Sequence, residues 1–149
     1  MKVLSIALCA GEMRISVLSG TVDNPILLEK KRLIVKDDED VSVLMDWHES
    51  NILNEVNRID PSKIVCKLNL GVDKKQSITQ IMPLGIFSLI AKRKGIPFLL
   101  FTSRQFTPTK LSLPKGTNLY NKCDELFGIQ RPYWDKQQKD TILGAWMSL

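Results

Sequence analysis

Four consecutive acidic residues at positions 37–40 form the densest group of potential metal ligands in the chain. Carboxylate oxygens suit Mg²⁺ or Ca²⁺, so a metal site is one interpretation of this run. The other is the start of a helix, because acids stabilise the positive end of a helix dipole. Asp40 is also a good N-cap residue, and a helical apolar pattern begins at Val41. This pattern favours the helix start over the metal site.

Residues that support zinc or nucleophilic chemistry are few and dispersed. The chain has one histidine, His48, close to the apolar face of that helix, and three cysteines without paired spacing, Cys9, Cys66 and Cys123. Neither a zinc site nor a Ser/His/Asp triad is therefore expected. A P-loop and a dinucleotide-binding glycine motif are also absent. We expect a histidine at the edge of the core and inert, buried thiols, which suit the cytoplasm.

Positive charge is concentrated in the second half of the chain. Residues 1–69 carry nine Lys or Arg against eleven Asp or Glu, whereas residues 70–149 carry twelve against five. The basic residues in or beside predicted loops of this half are Lys74, Lys75, Arg104, Lys110 and Lys115. Such asymmetry indicates either an anionic partner, most commonly nucleic acid, or a basic surface without a partner.

The pattern of apolar residues predicts the order β-β-β-α-β-α-β-α-α. Three strands joined by short turns favour an antiparallel meander, and the alternating helices and strands that follow favour parallel crossovers. The predicted strands cover residues 2–9, 13–18, 26–35, 63–70 and 96–102. The predicted helices cover residues 41–59, 78–94, 118–127 and 134–148. Residues 103–117 are expected to form a loop.

The length of 149 residues suits one compact domain spanning residues 1–149. No apolar stretch reaches the length of a bilayer span, so no membrane association is expected. The apolar run after Lys2 is short, and Glu12 and Arg14 follow it at once. These charges favour a buried first strand over a signal peptide.

This order of elements resembles the ribonuclease H-like fold, and more specifically Holliday-junction resolvases of the RuvC type. The segments that resemble the family are VLSIAL (residues 3–8), PSKIVCK (61–67), GIPF (95–98) and DTILGAW (140–146). The chain is also similar to a small bacterial family of this fold that has no established function. The resemblance implies an α/β domain with a five-stranded mixed sheet flanked by helices. In that sheet the first three strands form the antiparallel meander, and the last two are parallel.

The resemblance also implies positions for catalytic acids. Nucleases of this family hold two divalent metals with about four carboxylates: one on the first strand, one at the end of the fourth strand, and two in the last helix. These positions carry Ala7, Lys67, Gln137 and Asp140 here. Asp140 alone is left as a possible relic, because alanine binds no metal and a lysine ammonium repels a dication. We therefore expect eroded catalytic carboxylates and no metal site.

Three functional hypotheses follow. The first is a non-catalytic module that binds nucleic-acid phosphates, since basic residues after the fifth strand contact the backbone in the resolvases it resembles. The second is a protein-interaction or assembly subunit without nucleic-acid binding. Its predicted homodimer contact is the apolar helical segment from Ile81 to Ala91, although burial of that segment against the chain's own sheet is the alternative. Neither hypothesis requires a cofactor.

The third hypothesis is a Mg²⁺-dependent nuclease that uses displaced acids. Glu12, Asp73 and Asp135 lie near the expected catalytic positions in sequence. This hypothesis predicts that at least three carboxylates converge in the folded chain.

Overall fold

The computed structural model describes residues 1–149 and contains a five-stranded sheet with helices on both faces. The strands are β1 (Lys2–Cys9), β2 (Glu12–Gly20), β3 (Pro25–Ile34), β4 (Lys63–Lys67) and β5 (Phe98–Phe101). The helices are α1 (Val41–Ile59), α2 (Lys74–Gln76), α3 (Met82–Lys94), α4 (Leu119–Phe127) and α5 (Lys136–Trp146). The strand order is β3-β2-β1-β4-β5, with an antiparallel meander and two parallel pairings. The predicted mixed sheet is thus confirmed.

The registers of β1 with its two neighbours place two basic residues beside Ala7. A two-residue turn joins β1 to β2, and its second residue, Gly11, has a φ of 70°, which glycine adopts without strain. This turn sets Ala7 opposite Arg14. On the other side, β1 and β4 run in parallel with Ile6 opposite Cys66, so Lys67 is the next neighbour of Ala7.

The sheet is covered by α1 and α3 on one face and by α5 with the chain around α4 on the other. Side chains such as Ile6, Ile64 and Phe87 form the core of the first face. Phe101 and Trp146 belong to the core of the second. Helix α5 lies close to the sheet because Gly144 has no side chain: a Cβ there would stand 2.3 Å from the Phe101 ring.

Several predicted boundaries differ from those observed, each for a local reason. The helical region expected from residue 78 starts at Lys74, because Asp73 and Gln76 form a capping box. A π-helical turn, Ser77–Ile81, separates α2 from α3. The expected loop 103–117 contains two short 3₁₀ helices, Ser103–Gln105 and Pro108–Leu111. Asp40 caps α1 by accepting a hydrogen bond from the Ser42 amide, which confirms the helix start.

Helix α3 buries most of its apolar residues against the rest of the chain. Its buried residues are Pro83, Leu84, Phe87, Ile90 and Ala91. Met82 and Leu89 remain 47% exposed. The apolar character of the segment from Ile81 to Ala91 is therefore explained largely by intramolecular packing. No helix in the structure has the length and apolarity needed to cross a bilayer.

The sequence predicted His48 at the edge of the core. In the structure it lies fully inside the core. Its side chain is 0% exposed, and the Trp47 and Phe87 rings meet it edge-on with centroids 5.2 and 5.9 Å away. Neither ring nitrogen has a hydrogen-bond partner within the protein. Burial lowers the pKa of His48 from 6.5 to about 4. The neutral imidazole is thus strongly preferred in the folded state.

We predict that His48→Phe stabilises the protein and removes part of its acid sensitivity. The unfolded chain binds a proton at His48 more readily than the folded chain, so the free energy of unfolding falls as the pH drops from about 6.5 towards 4. This loss amounts to about 3 kcal/mol at most. Phenylalanine would remove this pH-dependent loss. It would also remove the unpaired ring nitrogens, whose burial lowers the free energy of unfolding by about 1–3 kcal/mol at neutral pH.

Urea unfolding at pH 7.5 and pH 5 measures both effects. Carboxylates contribute equally to the two proteins, so the difference between wild type and His48→Phe isolates the histidine. Parallel stability profiles over this pH range would contradict the prediction.

Candidate functional site

The carboxylate of Asp140 is buried where β1 and β4 end beneath α5. Asp140 is 0% exposed, and both of its oxygens are engaged. Lys67 donates from Nζ to Oδ2 at 2.6 Å, and the Tyr120 hydroxyl donates to Oδ1 at 2.6 Å. The Lys67 side chain is 14% exposed. These three residues, hereafter the Lys67 cluster, form a compact and charge-neutral ion-pair arrangement.

Tyr120 acts as a hydrogen-bond donor in the Lys67 cluster. Burial raises the pKa of its hydroxyl well above the usual value, and the adjacent Asp140 carboxylate raises it further. The hydroxyl therefore stays protonated at physiological pH, which suits donation to a carboxylate and opposes a role as a nucleophile.

A second ionic network surrounds Arg14 on the neighbouring strand. Arg14 is 3% exposed, and its guanidinium donates two hydrogen bonds of 2.9 Å each to the Asp135 carboxylate. It also donates to Glu12 at 2.8 Å, and Arg32 donates to the other oxygen of Glu12. Bidentate contacts of this kind are among the stronger ion pairs in proteins. We call these four residues the Arg14 cluster.

The acids of the Arg14 cluster are held in their charged form. Burial alone would raise the pKa values of Glu12 and Asp135, but hydrogen bonds from the arginines bring both below their usual values. Asp135 also accepts from the Gln138 amide at 3.1 Å, so it caps α5. The network thereby fixes the start of the helix that carries Asp140.

Buried polar contacts hold α5 in one register over β2. Gln138 is 1% exposed and donates to the Ile15 carbonyl and to Ser16 Oγ, both at 2.8 Å. Ser16 and Thr141 hydroxyls are 2.6 Å apart. Since these groups lack access to solvent, sliding the helix would leave several of them unpaired. Asp140 is thus placed rigidly above Lys67.

The structure brings some of the predicted site residues together and places others apart. Ala7 is 1% exposed between Arg14 and Lys67, whereas Gln137 is exposed one turn before Asp140. Of the displaced acids, Glu12 and Asp135 meet at Arg14, but Asp73 caps α2 instead. The convergence of at least three acids that the nuclease hypothesis requires is therefore not found in the structure.

The donor set around Ala7 does not fit a divalent metal. No group of three or more His, Cys, Asp or Glu side chains is arranged to hold a metal ion. Each nearby carboxylate already binds a cationic side chain: Asp140 binds Lys67, and Glu12 and Asp135 bind Arg14. A dication in this place would meet an ammonium and a guanidinium at short range, which Coulomb repulsion opposes strongly.

The basic residues predicted to bind phosphates are all exposed, and none forms an ion pair. They are Lys74 and Lys75 in α2, Arg104 and Lys110 in the 3₁₀ helices, and Lys115 in the following loop. Residues 74–123 contain no Asp or Glu. Arg104 and Lys67 line one cleft of about 240 Å³ at the ends of β4 and β5. Positive charge therefore borders the Lys67 cluster without local compensation.

Arg14 and Tyr120 were missed as site residues by sequence reasoning. The short turn after β1 pairs Ala7 with Arg14, so that position was accessible from the hairpin alone. Tyr120 comes from α4, and no spacing in the sequence connects it to Asp140.

Comparison with known proteins identifies the fold. No protein-family model and no curated protein matches the chain in sequence. The Thermus thermophilus RuvC structure in complex with a Holliday junction substrate matches with a TM-score of 0.76 and 15% identity, over 99% of this chain and 91% of that one. The yeast mitochondrial Holliday junction resolvase Ydc2 matches with a TM-score of 0.60 and 15% identity, over 97% and 77%.

A viral structure extends the comparison. The fowlpox virus Holliday junction resolvase matches with a TM-score of 0.57 and 9% identity, over 99% of this chain and 93% of that one. At these identities the likeness establishes the fold, which is ribonuclease H-like and of the RuvC type.

Proposed function

We propose that residues 1–149 form one domain that binds nucleic-acid backbones without cleaving them. The observation that carries this proposal is the run of residues 74–123, which has nine Lys or Arg and no Asp or Glu. Five of these basic residues are exposed beside the ends of β4 and β5 or in the segment that follows, and they lack acidic partners. Unpaired cations on one part of a surface attract phosphates by counterion release.

The absence of cleavage is inferred from the ionic clusters. In a two-metal nuclease, dications stabilise the attacking and leaving oxygens. Here Lys67 and Arg14 flank Ala7 and neutralise the nearby carboxylates. We infer that Lys67 and Ala7 stand where catalytic acids have been lost, that Arg14 lies beside the Ala7 position, and that Asp140 is kept as a structural ion-pair partner. A Mg²⁺ cofactor is accordingly not part of the proposal.

Binding of this kind should depend on phosphates more than on bases. Phe106 is the one aromatic residue in the segment 103–117, and its ring stacks beside Phe101 with centroids 5.7 Å apart. It is therefore poorly placed to stack on a base, so strong single-strand sequence preference is not expected. Branched DNA is the first probe, because the compared RuvC structure contains a Holliday junction substrate.

The test is a salt-dependent binding assay with labelled branched, duplex and single-stranded DNA and with RNA. Lys110→Glu and Lys115→Glu together should lower affinity at least tenfold and reduce the slope of log affinity against log salt by about two. The affinity of each single variant should lie between that of wild type and that of the double variant. Lys36→Glu is the matched control, because Lys36 is exposed in the first half and contacts Asp38. We expect it to change little.

The same samples, supplied with Mg²⁺ or Mn²⁺, test for cleavage. Metal-dependent products would contradict the non-catalytic part of the proposal. Equal losses for Lys36→Glu and Lys110→Glu would contradict the assigned surface.

An assembly subunit without nucleic-acid binding is the alternative, and the structure favours it less. Helix α3 buries five residues internally and leaves Met82 and Leu89 as its exposed large apolar residues. Two such side chains form a narrow contact for a homodimer, compared with the area that stable interfaces bury.

A further inference from the structure

The two edges of the sheet differ in how they are protected against pairing with another strand. β3 forms one edge and carries four consecutive charged residues, from Glu29 to Arg32. A register irregularity also interrupts its pairing near Val17 and Leu18. Charges and bulges are the usual devices that keep an edge strand from accepting a foreign strand. β3 therefore has the features of a protected edge.

β5 forms the opposite edge and, although it is only four residues long, carries neither charges nor a bulge. Its four residues, Phe98–Phe101, are uncharged and apolar, and no bulge interrupts its pairing with β4. Leu99 and Leu100 point to opposite faces of the sheet and are 50% and 46% exposed. An open backbone edge with exposed apolar side chains on both faces is suited to strand addition.

Clefts at both ends of β5 contain basic side chains. The cleft at its start has a volume of about 470 Å³ and lies between Lys92 of α3 and the segment 95–98. The cleft at its end, of about 240 Å³, includes Arg104. The last turn of α3 adds Arg93 and Lys94, and none of these cations forms an ion pair. An occupant with acidic side chains would meet complementary charge at both ends.

We propose that β5 binds an extended acidic and apolar segment of a partner protein, which adds to the sheet as a sixth strand. Apolar side chains of that segment would cover Leu99 and Leu100, and its acids would face Lys92 and Arg104. A second copy of this chain fits less well at this edge. In an antiparallel β5 pair, the basic start of one strand would meet the basic end of the other, and the segment 74–123 offers no acid to compensate.

The length of the occupant follows from strand geometry. The stretch from Ile96 in the first cleft to Ser103 in the second covers eight residues, which corresponds to about 26 Å at about 3.3 Å per residue. A matching segment therefore has about eight residues.

The test uses a library of labelled peptides of this length that carry Asp or Glu near both ends and Leu or Val at the central positions, so that apolar side chains lie on both faces of the bound strand. Binding to the full chain is measured by fluorescence polarisation. We expect members of the library to bind, the same peptides with lysine in place of the acids to bind at least tenfold more weakly, and added salt to weaken binding. Methylation of alternate peptide amides should abolish binding in one register and spare it in the other, because a bound strand turns alternate amides towards β5.

Two variants locate the site. Leu100→Asp and Lys92→Glu should each lower affinity at least tenfold. Leu28→Asp is the matched control on the other edge, since Leu28 is 51% exposed in β3, and it should leave affinity unchanged. Circular dichroism of each variant verifies folding.

Several outcomes would overturn the proposal. Failure of every acidic peptide to bind would reject it, as would equal effects of Leu100→Asp and Leu28→Asp. A protein whose mass doubles with concentration in a Leu100-dependent manner, without peptide binding, would assign the edge to a second copy. A selective loss of duplex DNA affinity in Leu100→Asp, without peptide binding, would assign it to nucleic acid. Because the nucleic-acid assay depends on Lys110 and Lys115, either proposal can fail while the other stands.

Discussion

Lys67→Met should lower the free energy of unfolding by about 3–5 kcal/mol, because it leaves a buried carboxylate without its cation. Asp140 is 0% exposed and would retain only the Tyr120 hydroxyl as a partner. Chemical denaturation of wild type and variant measures the loss. The polar contacts of Gln138 and Thr141 prevent α5 from moving to expose the acid.

Two further variants make this expectation specific. Lys67→Met combined with Asp140→Leu should recover most of the stability, since the buried charge is removed together with its partner. Lys122→Met is the matched control because it breaks an exposed ion pair with Glu125, and such pairs contribute about 0–1 kcal/mol. If Lys67→Met cost no more than Lys122→Met, the Lys67 cluster would have no special role in stability.

The second large effect is expected from Ala7→Asp combined with Lys67→Glu, which should create a metal site. Ala7 and Lys67 are neighbours on adjacent strands and face α5, from which Asp140 approaches. Three carboxylates without a cation would repel one another, so the metal-free variant should be less stable than wild type. Mn²⁺ or Mg²⁺ should then raise its melting temperature by about 5–10 °C at a hundredfold excess over Kd.

Wild type and the single variant Ala7→Asp are the controls for this experiment. Both retain Lys67, whose ammonium should repel the ion, and neither should respond to the metal. A comparable rise in wild type would show that the present carboxylates already suffice for a metal site. No rise in the double variant would show that these positions are too far apart to share an ion.

Much of the fold was predictable because most strands and helices have strong local patterns of apolar residues and capping residues in the sequence. The predicted bounds of β1 and α1 agree with the structure, since a continuous apolar run and a capped amphipathic helix have clear ends. β4 was predicted to run to residue 70 but ends at Lys67, where Asn69 turns to bond the Leu8 carbonyl and Gln80. β5 is also shorter than predicted, as it begins only after Pro97. Such endings depend on tertiary contacts and on backbone groups that a periodicity pattern does not describe.

The candidate site was only partly predictable for the same reason. The proximity of Ala7, Lys67 and Asp140 was implied by the resemblance to RuvC-type resolvases. The role of Tyr120 was not predictable, because its side chain reaches Asp140 from α4 only in the folded chain. The position of Arg14 beside Ala7 was accessible from the β1–β2 hairpin, but its bond to Asp135 was not. The acids Glu12 and Asp135 were candidate metal ligands under the nuclease hypothesis, and each is bound by arginine in the structure.

The Lys67–Asp140 ion pair also constrains how this sequence can diverge. A change at either position alone leaves the other charge largely buried and unpaired, so every first step is disfavoured by selection for stability. Relatives should therefore show covariation: lysine at one position with aspartate at the other, or two neutral residues together. A single change of Lys67 to an acid would remove the cation of Asp140 and place a second carboxylate near it, so this step in particular is disfavoured. The ion pair therefore makes positions 67 and 140 resistant to single substitutions, and change at one of them is coupled to change at the other.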